Sequence, residues 1–112
     1  MPTVPGQMMQ MPLSISSLIC HAARHAGDVE VVSRRVEGDL HRSNYAEVER
    51  RARQVAQALA RLGVDACGRV GTLAWNGHRH LELFYGISGS GRVCHTINPR
   101  LHADQKIGRA HV

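Results

Sequence analysis

Eight histidines, three cysteines and a run of glycines are the residues of this 112-residue chain whose types could do chemistry. His21 and His25 stand four apart and would share one face of a helix, a spacing that suits two metal ligands. No third ligand of suitable type stands near them, and His78 and His80 fall on different sides of their own helix. The spacing therefore predicts scattered surface histidines rather than a metal centre. Gly86-x-x-Gly89-x-Gly91 reads as a dinucleotide fingerprint written backwards. A phosphate-binding loop must follow a strand and open a helix, so that backbone N–H groups and the helix dipole meet the anion. This run closes a helix and opens a strand, and is expected to act as a helix stop. No spacing supports a Ser-His-Asp set, and no nucleophile elbow of the form GxSxG occurs.

Arginines at 34, 35, 42, 50, 51 and 53, a formal charge of +5 and a pI near 9.9 raise nucleic acid as a partner. A backbone-binding surface gathers such charges on one face and adds aromatics that stack bases. Here Glu30, Glu37, Glu47 and Glu49 are interleaved with the arginines, and no aromatic cluster accompanies them. A solvated, ion-paired face is expected instead, with no nucleic acid bound. Cys20, Cys67 and Cys94 are odd in number and form no CxxC pair, which fits a reduced, cytoplasmic protein. No run approaches the roughly 18 apolar residues that span a bilayer. The N-terminal stretch lacks the basic and apolar regions of a secretory signal.

The elements that must position these residues are legible from periodicity. Residues 1–12, with three prolines and four methionines, read as a loosely held arm. Ser14 is expected to cap a first helix, with Leu13 and Leu18 as a hydrophobic staple and Gly27 as its left-handed end. Residues 29–42 read as a β-hairpin turning at Glu37-Gly38-Asp39. Asn44 is expected to cap a second helix, with Glu47 reaching back to the cap's N–H and Gly63 ending it. Its apolar stripe is Tyr45, Val48, Ala52, Val55, Ala56 and Leu59. Val70–Trp75 and Val93–Ile97 then read as parallel strands joined by a helix, a βαβ unit. On that helix Leu81, Phe84 and Tyr85 are expected to face the sheet, and Arg79 and Glu82 to face water. Asn98-Pro99 ends the second strand, and a further helix starts near Leu101 or His102. The fold class is α/β. A parallel pair is normally covered on both faces and flanked by further strands. The chain is accordingly expected to be the incomplete opening of a larger domain.

Whole stretches of the chain also resemble one family. VSRRVEGDLHR at 32–42, NYAEVERRARQVAQALARLGV at 44–64, RVGTLAWNGHRHLELFYGISGSG at 69–91 and CHTINPRL at 94–101 are similar to the N-terminal part of fatty-acyl-CoA ligases. The Tyr-x-Glu helix start, the LGV-x-x-x-x-RV connection and the Asn-Pro-x-Leu exit are common to the adenylate-forming superfamily. LAWNG-x-RHLEL with HTINPRL narrows the resemblance to medium-chain acyl-CoA ligases. The chain departs from the pattern at Asn44 (usually threonine), at Cys67-Gly68 (usually Gly-Asp) and at Arg92 (usually small).

The resemblance implies a fatty acid, ATP and coenzyme A as substrates, Mg²⁺ as cofactor, and an acyl-adenylate that coenzyme A converts to the thioester. It implies that the phosphate loop, the ribose-binding aspartate and the C-terminal domain's lysine lie downstream of residue 112. No catalytic, cofactor-binding or metal-ligating residue is therefore assigned to this chain. It is expected to be inactive alone and to need the remainder of its own domain as partner. Residues 13–106 are read as the start of the AMP-binding N-terminal domain. Residues 107–112, Ile-Gly-Arg-Ala-His-Val, are read as a non-native tail, since they match a translated sequencing adapter. The competing expectation is a small basic α/β binding module that acts on nucleic acid.

Overall fold

The computed structural model describes Gly6 and residues 10–110. The chain order is α1 (Ile15–Ala26), β1 (Glu30–Arg34), β2 (Leu40–Asn44), α2 (Tyr45–Arg61), β3 (Arg69–Leu73), α3 (His78–Gly89), β4 (Val93–Ile97) and α4 (Ala103–Ala110). β1 and β2 form the antiparallel hairpin, with Glu30 opposite Asn44 and Arg34 opposite Leu40. β3 and β4 pair in parallel across α3, from Arg69 opposite Val93 to Leu73 opposite Ile97. The α/β class, the hairpin and the βαβ unit are as the sequence indicates. The arm expected over 1–12 falls mostly outside the described residues. Of the expected tail, the backbone of 107–110 continues α4 and the last two residues lie outside.

Helix ends follow their local chemistry, with four departures. Ser14 precedes α1 but makes no side-chain cap bond, its hydroxyl pairing with that of Ser16 at 2.7 Å. Asn44 caps α2, its side-chain oxygen accepting from the Glu47 N–H at 2.9 Å. Glu47 does not return to the cap, because its carboxylate is held by Arg50 one turn on. Leu13 is 99% exposed and makes no staple with Leu18. Gly27 is right-handed, at φ −57°, not left-handed. It is small for another reason: a Cβ there would lie 2.5 Å from the Ala23 carbonyl and 3.4 Å from the Ala46 Cβ, where α2 begins. Gly63 and Gly91, at φ +80° and +82°, do end their helices in left-handed geometry. Val64 then donates to the Leu59 carbonyl, and Arg92 to that of Ile87, the paired closure typical of such ends.

The core lies where three helices meet. Ile19 of α1, Val48 and Ala52 of α2 and Ile87 of α3 are buried. α3 packs more extensively on α2 than on the strands, and this corrects the expected facing of its side chains. Glu82 turns inward and is 3% exposed, whereas Phe84 is 38% exposed. Gly86, read as part of a helix stop, lies within α3 and is a contact point: a Cβ there would lie 2.5 Å from the Val55 Cβ. The glycine lets α3 approach α2 closely. One face of the strand pair carries Thr72 and Val70 under α3; the other leaves Leu73 exposed.

Candidate functional site

In open parallel sheets, ligands gather beyond the carboxyl ends of the strands. Here that edge is formed by Ala74–Gly77 after β3 and Asn98–Arg100 after β4. Ala74–Asn76 and Asn98–Arg100 border a cavity of about 700 Å³, also lined by His80 and Thr96. Three polar groups at this edge have local partners. The Arg100 guanidinium sits 5.6 Å from the centroid of the Trp75 ring, within cation–π range. Asn98 accepts from the Arg100 backbone N–H at 2.9 Å, fixing the turn through Pro99. His80 shares a 3.1 Å hydrogen bond with the Thr72 hydroxyl.

α3 opens at this edge, so its first N–H groups would be the place to meet an anion. Gly77 offers no side-chain cap. Ser33 of β1 supplies one across the molecule, its hydroxyl accepting from the His78 N–H at 3.0 Å. The first N–H of this helix is thus already committed to the hairpin's serine. The Gly86–Gly91 run sits at the other end of α3 and leads into β4, the order the sequence indicates.

The second concave region, about 600 Å³, lies between the hairpin and the βαβ unit, lined by Val31, Ser33, His78, Leu81, Phe84 and Thr96. At its floor a polar cluster joins three elements. The His41 ring of β2 stacks on His78 of α3, with centroids 3.6 Å apart and planes 10° from parallel. One turn along α3, Glu82 receives Arg51 of α2 at 2.8 Å. Burial is the main cause that depresses the His78 pKa, and His41 lowers it further. His78 is 7% exposed, so the surface-histidine reading fails for it. His21 and His25 do share a face, with rings 4.5 Å apart. Among the described residues no three histidine, cysteine or acidic side chains are grouped to hold a metal ion.

The arginines are ion-paired as their interleaving suggests. Arg35 binds Asp39 at 2.6 Å, Arg42 binds Glu30 at 2.8 Å, and Arg50 and Arg53 bind Glu47 and Glu49. Arg79 reaches Glu37 at 3.0 Å and holds its carboxyl below the usual range. Arg34 donates to the Gly38 carbonyl rather than to a carboxylate. Burial pushes the Cys94 thiol up, which makes it a poor nucleophile. No helix among the described residues is long and apolar enough to cross a membrane.

The family model of AMP-binding enzymes matches residues 20–107. The chain belongs to this family. It is 53% identical over 102 residues to a 3-methylmercaptopropionyl-CoA ligase of Ruegeria lacuscaerulensis, covering 91% of this chain and 19% of that protein. It is 53% identical over 100 residues to a medium-chain-fatty-acid–CoA ligase of Ectopseudomonas oleovorans, covering 89% and 18%. It is 42% identical over 113 residues to a long-chain-fatty-acid–CoA ligase of Thermus thermophilus, covering 92% and 21%. Among solved structures, it superposes on the inhibitor-bound N-terminal domain of FACL13 from Mycobacterium tuberculosis with a TM-score of 0.72 and 27% identity, over 82% of this chain and 23% of that one. The chain thus spans about a fifth of the length of the curated relatives it matches.

Within this member of the family the glycine run lies at the opposite end of its helix from a phosphate loop, and Ser33 caps the first N–H of α3. The departures from the family pattern are accommodated. Arg92, in place of a small residue, donates to the Val64 carbonyl at 3.0 Å and the Ser90 hydroxyl at 2.8 Å, although its Nε is left without a partner. Cys67-Gly68 still closes its turn, Gly68 N–H meeting the Asp65 carbonyl at 2.9 Å.

Proposed function

We propose that the chain is the opening, N-terminal part of an ATP-dependent fatty-acyl-CoA ligase, and that its role there is scaffolding. The whole enzyme would activate a fatty acid as its adenylate with ATP and Mg²⁺ and pass the acyl group to coenzyme A. What supports this most is the 53% identity to a medium-chain ligase, which runs through 89% of the chain. The geometry agrees with scaffolding: Leu73 and Val93 of the strand pair and Phe84 beside the hairpin are exposed apolar groups suited to cover by further elements of one domain. Three free thiols suit a reducing, cytoplasmic setting. On this reading residues 13–106 belong to the ligase, 107–112 are foreign to it, and the chain alone makes no acyl-CoA.

The test is a chimera. Residues 13–106 replace the matching stretch of the Ectopseudomonas oleovorans medium-chain ligase, and thioester formation from a medium-chain fatty acid, ATP and coenzyme A is measured. Activity within about tenfold of the parent is expected. A chimera that folds, binds coenzyme A and forms no acyl-adenylate would overturn the reading.

A further inference from the structure

The hairpin is held to the helices by few direct bonds, and the ring stack is central among them. His41 of β2 lies flat on His78 of α3, 3.6 Å between centroids. The His78 N–H is tied to Ser33 of β1. Around the stack, His41 Nδ1 and Ser43 Oγ are buried without a partner, and so is Glu82 Oε1. Two stacked neutral imidazoles attract, whereas a proton on buried His78 must be held away from water, and protons on both rings repel across the stack.

We propose that the His41–His78 stack is a proton-released latch that fastens the hairpin to the α2–α3 pair. Of the charged groups around His78, two arginines oppose a proton there and one carboxylate favours it. From α3, Arg79 and Glu82 face His78, and from α2 Arg51 does so. Glu47 of α2 and Asp39 of the hairpin turn face His41. β1 contributes the neutral Ser33 hydroxyl. Every one of those carboxylates already has an arginine: Arg51 for Glu82, Arg50 for Glu47 and Arg35 for Asp39. A protonated His78 therefore gains some attraction from Glu82, whose second carboxylate oxygen is buried without a partner, against the repulsion of Arg79, Arg51 and a charged His41. With the hairpin released, both rings reach water, Ser33 leaves the start of α3, and the cavity of about 600 Å³ between hairpin and βαβ unit opens.

The sign follows from burial. His78 holds its proton less well closed than open, so closure is complete above the ordinary histidine range. It is lost as pH falls through that range, the closed population dropping by up to tenfold per pH unit for the His78 proton taken up on opening.

The experiment is hydrogen exchange on the 112-residue chain at pH 7.5 and pH 5.0, corrected for intrinsic exchange rates, beside a titration of the histidine rings by NMR. The amides of β1 and β2 should lose at least about tenfold protection at pH 5.0, while those of α2 and α3 keep theirs. The paired change His41→Phe with His78→Phe retains a stack without a titrating group and should make hairpin protection independent of pH. Hairpin protection that is equal at the two pH values overturns the latch. So does an equal loss in the Phe pair, ring titration at the free histidine value, or a chain with no protected amides at pH 7.5. Should the Phe pair fail to fold, His41→Phe alone, which removes the ring–ring repulsion, should halve the pH dependence or better, and an unchanged dependence overturns the latch. None of these outcomes bears on the ligase reading, which the chimera tests separately.

Discussion

Gly86 of α3 faces Val55 of α2 across a gap that no side chain fits: a Cβ on the glycine would lie 2.5 Å from the Val55 Cβ and 2.9 Å from the Ala52 carbonyl. The second of those atoms is backbone and cannot swing aside. Gly86→Ala gains about 1 kcal/mol of helix propensity. It also overpacks the interface, which costs about 1–3 kcal/mol or more when backbone must move. The expected result is net destabilisation, seen as a lower urea midpoint at unchanged slope. Adding Val55→Ala should recover only a small part of the loss, since it removes the Val55 Cγ1 contact at 2.6 Å and leaves the Val55 Cβ and the Ala52 carbonyl in place.

Arg51 and Glu82 form the ion pair that joins α2 to α3, with the carboxylate buried and the guanidinium about half exposed. Removing the arginine strands a buried carboxylate, so Arg51→Ala should cost about 1–3 kcal/mol, less than a fully enclosed pair because water reaches the arginine side. Arg53→Ala removes a more exposed pair with Glu49 and should cost no more than about 1 kcal/mol. Urea unfolding of the two variants side by side checks the order.

Asn44→Ala should cost about 1 kcal/mol by leaving the Glu47 N–H without its cap, and Asn44→Thr or Asn44→Asp should keep most of that stability. The family's usual threonine is thus a neutral change at this position.

Cys94 contributes a dependence on alkaline pH. Burial raises its pKa above the free thiol value, with a smaller opposing effect from the Thr72 hydroxyl. The folded chain keeps the proton that the unfolded chain gives up, so this stabilisation is complete below the free thiol pKa and is lost as pH rises through the raised one. Stability should fall above about pH 9, and Cys94→Ala should flatten that fall. In thiol labelling near pH 8, exposed Cys67 should react well before Cys94.

Much of the fold is legible in the sequence because its elements have local causes. Asn44 before an amphipathic run marks α2, Glu37-Gly38-Asp39 marks the hairpin turn, and Gly63 and Gly91 mark helix ends. The facing of α3 is not legible in the same way. Leu81, Leu83, Phe84, Tyr85 and Ile87 surround that helix, so no stripe says which side meets α2. The burial of Glu82, the role of Gly86 and the stacking of His78 all follow from that one rotation. The cap that Ser33 gives to α3 spans 45 residues of sequence, and a serine in a strand carries no mark of a distant helix. At the candidate site, the wrong-way glycine run was readable from order alone, whereas the occupied helix start was not.

Asn44 is the last residue of β2 and the cap of α2 at once, so two periodicities meet at a single residue. A strand repeats every second residue and a helix every 3.6, with no linker here to absorb a mismatch. One residue inserted between Arg42 and Tyr45 would therefore turn α2 by about 100° relative to the hairpin and carry Val48 and Ala52 out of the core. The same insertion in the loop 35–39, which carries no such joint, would leave that alignment intact. Length variation among homologous chains should accordingly collect at the hairpin tip and be absent from the strand–helix junction.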